Sequence, residues 1–359
     1  MPDPFIIWRK KRRYLKMIKE CLENVKKNVP LVHNITNYVT VNDVANVILA
    51  CGGSPIMSDD EGDVVDITSI CGGLNINIGT LNKNTIPSMY LAGKRANELG
   101  HVVLLDPVGA GASKLRTDTA VGLMKDVKFD VIRGNISEIK TLAYGSGSTK
   151  GVDADVADAV TEDTLDNAVA FVKKLSAEMK TIIAVTGAID LVSDSEKCYV
   201  IRNGRPEMGK ITGTGCQLSG MMTAYVTANP DSKLEAAAAA VMVMGLAGEI
   251  GYSHLKPYEG NSTYRNRIID AEWQQDAVAD NTYLTEINIY ADDRSGILFD
   301  ITKILSEANI SVNSINSRTS KQGKATITIS FSIKSVDQLN AIIAKIRNVD
   351  SIIDIERTV

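Results

Sequence analysis

The residues best suited to chemistry stand in four short turns, each reached from a β-branched apolar run. The first is Thr212-Gly213-Thr214-Gly215-Cys216, ahead of a helix carrying Leu218, Met221, Met222 and Tyr225. Glycines there let the backbone approach a ligand closely, and a helix start turns free N–H groups toward an anion. Cys216, near that terminus, would have its thiolate favoured and could accept a proton from an alcohol, or merely position it. A glycine-rich helix entry beside a buried, inert cysteine accounts for the same residues equally well. The second turn is Leu105-Asp106-Pro107-Val108-Gly109-Ala110-Gly111-Ala112. An acid at a strand end before a glycine-rich turn suits a carboxylate holding Mg²⁺, directly or through water. The plainer reading is a turn-forming Asp-Pro pair.

The third turn is Val131-Ile132-Arg133-Gly134-Asn135-Ile136-Ser137-Glu138. Arg133 could clamp phosphates in its fork of donors, and Glu138 could face a metal. Glu138 could equally be a first-turn acid complementing the helix dipole. The fourth, Ala184-Val185-Thr186-Gly187, ends a strand on a hydroxyl and a glycine, and alone is only a turn. Phosphoryl transfer needs an anion cradle, a metal to neutralise phosphates and a group at the attacking hydroxyl. The four turns in succession supply these parts.

Such turns need a scaffold. From Pro30 to about Ala271, short apolar runs (His101–Leu105, Val131–Ile132, Thr181–Val185) alternate with helical stretches (Ile86–Leu99, Leu165–Met179, Cys216–Val226, Leu234–Ile250). That alternation predicts an α/β fold, a mostly parallel sheet covered on both faces. Ligands bind such sheets where the strands end. Ahead of it, Arg9–Arg13 leads into a helix with Tyr14, Ile18, Leu22, Val25 and Val29 at helical spacing, stopped by Pro30. The basic run reads as a solvated helix start rather than a nucleic-acid or membrane contact. Beyond it, Gln274–Asn281 is polar and aperiodic and reads as a linker. The tail then predicts strand Thr285–Tyr290, helix Ile297–Glu307, strands Val312–Ser317 and Ala325–Ile333 around Lys321-Gln322-Gly323, helix Val336–Ile346 and strand Ile352–Glu356. This order is βαββαβ, the ferredoxin-like unit. The domains expected are a basic helix over 1–29, an α/β domain over 30–272, a linker over 273–283 and the small domain over 284–359.

The chain has 359 residues, 44% hydrophobic and 23% charged, with net charge −4. This is ordinary globular composition and implies no general attraction to nucleic acid or an anionic membrane. Five scattered cysteines with only three histidines argue against a zinc site, and an odd count suggests a reducing compartment. The N-terminal apolar stretch is too short for a signal peptide. Leu234–Ile250 carries Glu235 and Glu249 and reads as a buried helix, so a cytoplasmic protein is expected.

Seven stretches in order resemble hydroxyethylthiazole kinase, a thiamine-salvage enzyme of the ribokinase-like fold. They are Pro30–Asn37 (PLVHNITN), Ser54–Met57 (SPIM), Asn77–Leu81 (NIGTL), Asp106–Ala110 (DPVGA), Ile132–Glu138, Val185–Gly187 (VTG) and Gly213–Cys216 (GTGC). The resemblance implies a three-layer α/β/α domain that phosphorylates 4-methyl-5-(2-hydroxyethyl)thiazole with ATP and Mg²⁺. It implies Met57 and Gly213 at the substrate, Arg133 and Thr186 at ATP, and Asp106 and Glu138 at the metal. It also implies Cys216 where wider ribokinase relatives have an aspartate base. A homotrimer is implied too, with the thiazole site at a subunit boundary that the His33–Asn37 stretch and Met57 would help to form. The acidic patch Asp59-Asp60-Glu61, the Cys71-Gly72-Gly73 stretch and the basic first helix depart from the family pattern.

The tail resembles an ACT domain, nearest to the one ending stringent-response (p)ppGpp synthetases, with Asp292–Leu298 at the effector-loop position. The resemblance reaches upstream through Arg267–Trp273, while none of that enzyme's catalytic part is present. ACT–ACT pairing, an amino-acid effector or a docking and stability role would each fit. Two other functions fit the same residues. One is a kinase of another small heteroaromatic alcohol, such as a hydroxymethylpyrimidine. The other is a non-catalytic ACT-based sensor on a kinase-like scaffold.

Overall fold

The computed structural model describes residues 4–144, 159–271, 283–308, 310–320, 323–333 and 336–357; side chains of 4–15, 283–284 and 336–337 are not described. The linker stretch Gln274–Asn281, Lys321 and Gln322 of the expected turn, and the side chains of the basic run Arg9–Arg13 lie outside the described residues. The chain forms two compact units, Met1–Trp273 and Gln274–Val359.

In the first unit, α1 (Pro4–Asn28) leads to β1 (Leu31–Ile35), α2 (Val41–Ala50), β2 (Ser54–Met57), α3 (Val64–Ile70) and β3 (Gly73–Asn77). Then come α4 (Thr85–Leu99), β4 (Val102–Asp106), α5 (Lys114–Asp126), β5 (Val131–Gly134), α6 (Ile136–Tyr144) and α7 (Leu165–Met179). The unit closes with β6 (Ile182–Val185), β7 (Asp190–Ser193), β8 (Cys198–Ile201), α8 (Thr214–Ala228), α9 (Lys233–Ser253) and α10 (Asn261–Ile269). The eight strands form one sheet ordered β2-β1-β3-β4-β5-β6-β7-β8. The pairings from β2 to β6 are parallel, and β7 and β8 add an antiparallel edge. The expected mostly parallel sheet is therefore present, and the antiparallel hairpin extends it.

Strand alternation sorts the side chains onto two faces. Leu74, Ile76, Val103, Leu105, Ile132, Ile183 and Val185 join one core with residues of α3 to α7. Val102, Leu104, Val131, Ile182 and Ala184 join the other, with α1, α2, α8, α9 and α10. This is the three-layer arrangement. The same parity carries Asn77, Asp106, Arg133 and Thr186 to the α8 face, as the next residue of that set on β3, β4, β5 and just past β6. Helix α9 is rich in alanine, with Ala236 to Ala240 fully buried. Small side chains let it lie close against α8. By length and composition the helix at Pro230–Ser253 could cross a membrane, yet 72% of its apolar window is buried inside the protein.

The second unit runs β9 (Tyr283–Asp292), α11 (Ile297–Glu307), β10 (Val312–Thr319), β11 (Lys324–Ile333), α12 (Val336–Arg347) and β12 (Ile352–Arg357). Its antiparallel sheet is ordered β10-β11-β9-β12, which is the ferredoxin-like arrangement. Ile287, Ile289, Ile327, Ile329 and Phe331 pack with Ile297, Ile301 and Leu305 of α11 in a core of its own.

Candidate active site

The carboxyl edge of the parallel strands carries a continuous polar chain. The Asn77 amide donates to Asp106 Oδ2 at 2.8 Å, and Ser219 Oγ donates to the same oxygen at 2.8 Å. The Arg133 guanidinium lies 3.4 Å from that oxygen and donates to Thr186 Oγ1 at 2.6 Å. On the other side, Asn37 Nδ2 donates to Asn77 Oδ1 at 3.1 Å and to Cys216 Sγ at 3.2 Å. Residues from the ends of five neighbouring strands thus meet the start of α8. They meet because strand parity aims them at one face and α8 covers that face.

Two glycines make the approach of α8 possible. Gly213 caps the helix at φ +89°, a left-handed conformation that suits glycine, and a Cβ there would overlap the Thr40 methyl. Gly215 faces Arg133 so closely that a Cβ would sit 2.6 Å from both terminal guanidinium nitrogens. The first-turn N–H groups of α8 and the Arg133 side chain therefore share one space.

Asp106 is fully buried. Burial pushes its carboxyl above the usual range, against the pull of Arg133, and Glu138 adds to the upward push. Its Oδ1 is buried with no hydrogen-bond partner among the described residues. Glu138 brackets two loops: Oε1 accepts the Gly109 N–H and Oε2 the Asn135 N–H, each at 2.8 Å. Asp106 and Glu138 are hard oxygen donors, and the unpartnered Oδ1 suits a cation or its water. Among the described residues no group of three or more His, Cys, Asp or Glu could hold a metal. A donor set this sparse suits an ion that keeps most of its water shell, as magnesium does.

The thiolate expected at Cys216 is not favoured. Its thiol is pushed up, first by burial and then by the Asp106 carboxylate, which outweigh the amide donors and Arg133. A helix start alone lowers a thiol pKa, but here it is enclosed, and Cys216 is the neutral thiol.

Arg133, Thr186, Asp190, Met208, Leu218 and Met244 help to line a cleft of about 540 Å³ beside the start of α8. Arg202 and Arg205 line it too, together with apolar residues of α8 and α9. Asp190, whose Oδ1 accepts the Gly187 N–H at 2.8 Å, is pushed up to about 6 by burial. Met57 stands apart from the polar chain, half-buried on edge strand β2, in register with Asn34. His33 is fully buried, its ring nitrogens 2.9 Å from Thr68 Oγ1 and from the Ser58 carbonyl. Burial holds it below the ordinary histidine value.

The structure brings together Asp106, Arg133, Thr186, Gly213 and Cys216. It adds Asn77, Ser219 and Asp190, which have no role assigned from the sequence, and it places Asn37, expected only as part of the His33–Asn37 stretch at a subunit boundary, in the polar chain. Asn75 and Asn77 did leave a signal: two asparagines at period two inside a wholly buried strand. Buried polar groups must be hydrogen-bonded, so such a pair points to partners at the strand end.

Residues 22–277 match the hydroxyethylthiazole kinase family model, and residues 279–357 match an ACT domain model. The chain is 63% identical over 260 residues to the hydroxyethylthiazole kinase of Clostridium acetobutylicum, covering 72% of this chain and 95% of that one. It is 46% identical over 256 residues to that of Clostridium tetani, covering 71% and 92%. A solved hydroxyethylthiazole kinase structure from Pyrococcus horikoshii OT3 is similar with TM-score 0.64 and 32% identity, covering 74% of this chain and 97% of that one. The chain belongs to the hydroxyethylthiazole kinase family and carries an ACT domain as its second unit.

Proposed function

We propose that this protein transfers the γ-phosphoryl group of ATP to the hydroxyl of 4-methyl-5-(2-hydroxyethyl)thiazole. The observation that carries the reading is the Arg133–Thr186 pair lining the cleft, close against Gly215 at the start of α8. The alcohol oxygen bonds to the γ-phosphorus as the bond to the β-phosphate oxygen breaks, ADP leaves, and the hydroxyl proton passes to an oxygen of the transferred phosphoryl group and from there to water. Arg133 and the free N–H groups of α8 hold the charge on the moving group. Thr186 fixes the guanidinium. Mg²⁺, held by Asp106 and Glu138 mainly through water, would neutralise the phosphates. Because the transition state of such a transfer is loose, the hydroxyl needs little prior deprotonation. Cys216 therefore serves as a positioning donor beside the alcohol rather than as a base. Gly213 and Met57 would frame the thiazole.

Subunit pairing would complete the thiazole site in a homotrimer. Exposed Tyr38 and Val39, 76% and 58% accessible and next to Asn37, support that boundary. The ACT unit would act as a regulatory tail that takes an amino acid or pairs with another ACT unit. The enzyme is expected in the cytoplasm.

The deciding experiment measures ADP release and thiazole phosphate formation by the full chain with Mg²⁺, and by a chain ending at Ala271. Absence of turnover in the full chain refutes the kinase reading. A competition panel of small heteroaromatic alcohols tests the substrate. Removing the metal with a chelator should abolish turnover and adding Mg²⁺ should restore it. Unchanged turnover in chelator removes the role given to Asp106 and Glu138.

A further inference from the structure

The amide orientations along the polar chain are dictated by their neighbours. The Gly79 N–H can only donate, and it lies 2.9 Å from Asn77 Oδ1. The other end of the Asn77 amide must therefore be the NH₂ that faces Asp106. Asn77 Oδ1 is then an acceptor for Asn37, so Asn37 presents its own NH₂ there and to Cys216 Sγ. Thr40 Oγ1 donates to Asn37 Oδ1 at 3.0 Å and agrees with that orientation. Thus one backbone N–H orients two side-chain amides, and the second points a donor at the sulfur. Cys216 is 8% exposed, so bulk water competes little for that position.

We propose that Asn37 is a positioning residue that acts through Cys216: its amide holds the sulfur as a hydrogen-bond acceptor and leaves the thiol hydrogen for the substrate's hydroxyl oxygen. Asn37, together with the Asn77 amide that also faces the sulfur, thereby sets which way the thiol points. A thiol is a weak donor and acceptor with one rotatable hydrogen, so a fixed donor on one side decides the other. The kinetic half of this proposal rests on the kinase reading, and the spectroscopic half does not.

The test uses the full chain with Asn37→Ala and with Asn37→Ser, the latter too short to reach the sulfur but still polar toward Thr40. Melting curves check that each folds. The S–H stretching band of Cys216 is isolated as the infrared difference between wild type and Cys216→Ala. It should shift in both Asn37 variants, and an unmoved band overturns the proposal without any assay of turnover. In kinetics, losing one hydrogen bond of ordinary strength should lower kcat about tenfold and leave the KM for ATP within about twofold. In a Cys216→Ala background the same substitution should cost less than about twofold, because the group it acts through is gone. An undiminished loss in that background, or a loss confined to the thiazole KM, makes Asn37 a substrate contact and overturns the proposal. If wild type shows no turnover with any alcohol, the kinase reading fails, and the infrared band still decides whether Asn37 holds the thiol.

Discussion

Gly215→Ala should separate stability from catalysis. Gly215 lies in the first turn of α8, and its φ is not in the left-handed region, so alanine fits the backbone. By helix propensity alone the substitution is favourable by up to about 1 kcal/mol. The added methyl, however, would sit 2.6 Å from both terminal nitrogens of Arg133 and 2.9 Å from Cζ. Ordinary contact begins near 3.4 Å, so the guanidinium must retreat by about 0.8 Å. Arg133 is 9% exposed and has little room to do so while keeping Thr186 at 2.6 Å and Asp106 at 3.4 Å. Hydrogen bonds to a charged group contribute about 1.5–3 kcal/mol, so weakening the Thr186 bond should lower kcat/KM for ATP by roughly 10- to 100-fold. The melting temperature should change by only a few degrees. Steady-state kinetics with varied ATP, beside thermal denaturation, reads both. In an Arg133→Ala background, Gly215→Ala should add almost nothing. A Gly215→Ala enzyme with normal kcat/KM for ATP would refute the claim that Arg133 and the α8 turn share one ligand space.

Gly213→Ala should do the opposite and destabilise. Strain at φ +89° and the overlap with Thr40 together cost about 2–4 kcal/mol, and trimming the overlap with Thr40→Ser should recover part of the lost melting temperature. Cys216→Asp should keep or raise kcat, since a carboxylate there can accept from Asn37 and take the alcohol proton. Abolished activity in that variant would show that the thiol itself is required. Asp190 binds its proton more tightly folded, about 6 against 3.8, so its ionisation disfavours the fold as pH rises through that window. Asp190→Asn should therefore melt with wild type below about pH 4 and gain at most ~3 kcal/mol above about pH 7, and a difference independent of pH would count against the burial argument.

Much of this site was legible in the sequence, for a physical reason. Asp106, Arg133 and Thr186 each end an apolar run, and parallel strands turn their ends toward one edge. The helix start at Gly213 announced itself through glycines that no helix interior needs. What could not be read was enclosure. The sequence places Cys216 at a helix terminus but does not show that it is enclosed beside Asp106, and burial with that carboxylate reverses the direction of its pKa against the pull of the Asn37 and Asn77 amides. Asp190 escaped notice because it opens the hairpin strand β7, which the alternation of runs and helices did not reveal. The tail was easier. The alternation of Ile287, Ile289, Ile327 and Ile329 and the stripe of Ile297, Ile301 and Leu305 specify a one-faced sheet under helices without any knowledge of a ligand.

The polar chain from Asn37 through Asn77, Asp106 and Arg133 to Thr186 has a consequence for how such an enzyme can change. Each side chain is the partner of the next, so replacing one leaves a buried donor or acceptor unmet on an adjacent strand. Substitutions there should be strongly epistatic: neutral pairs made of two damaging singles. Libraries that vary one position at a time would find this edge intolerant, whereas those that vary neighbouring strand ends together could find altered acceptor specificity. The same sheet that assembles the site makes its five strand ends vary as one unit.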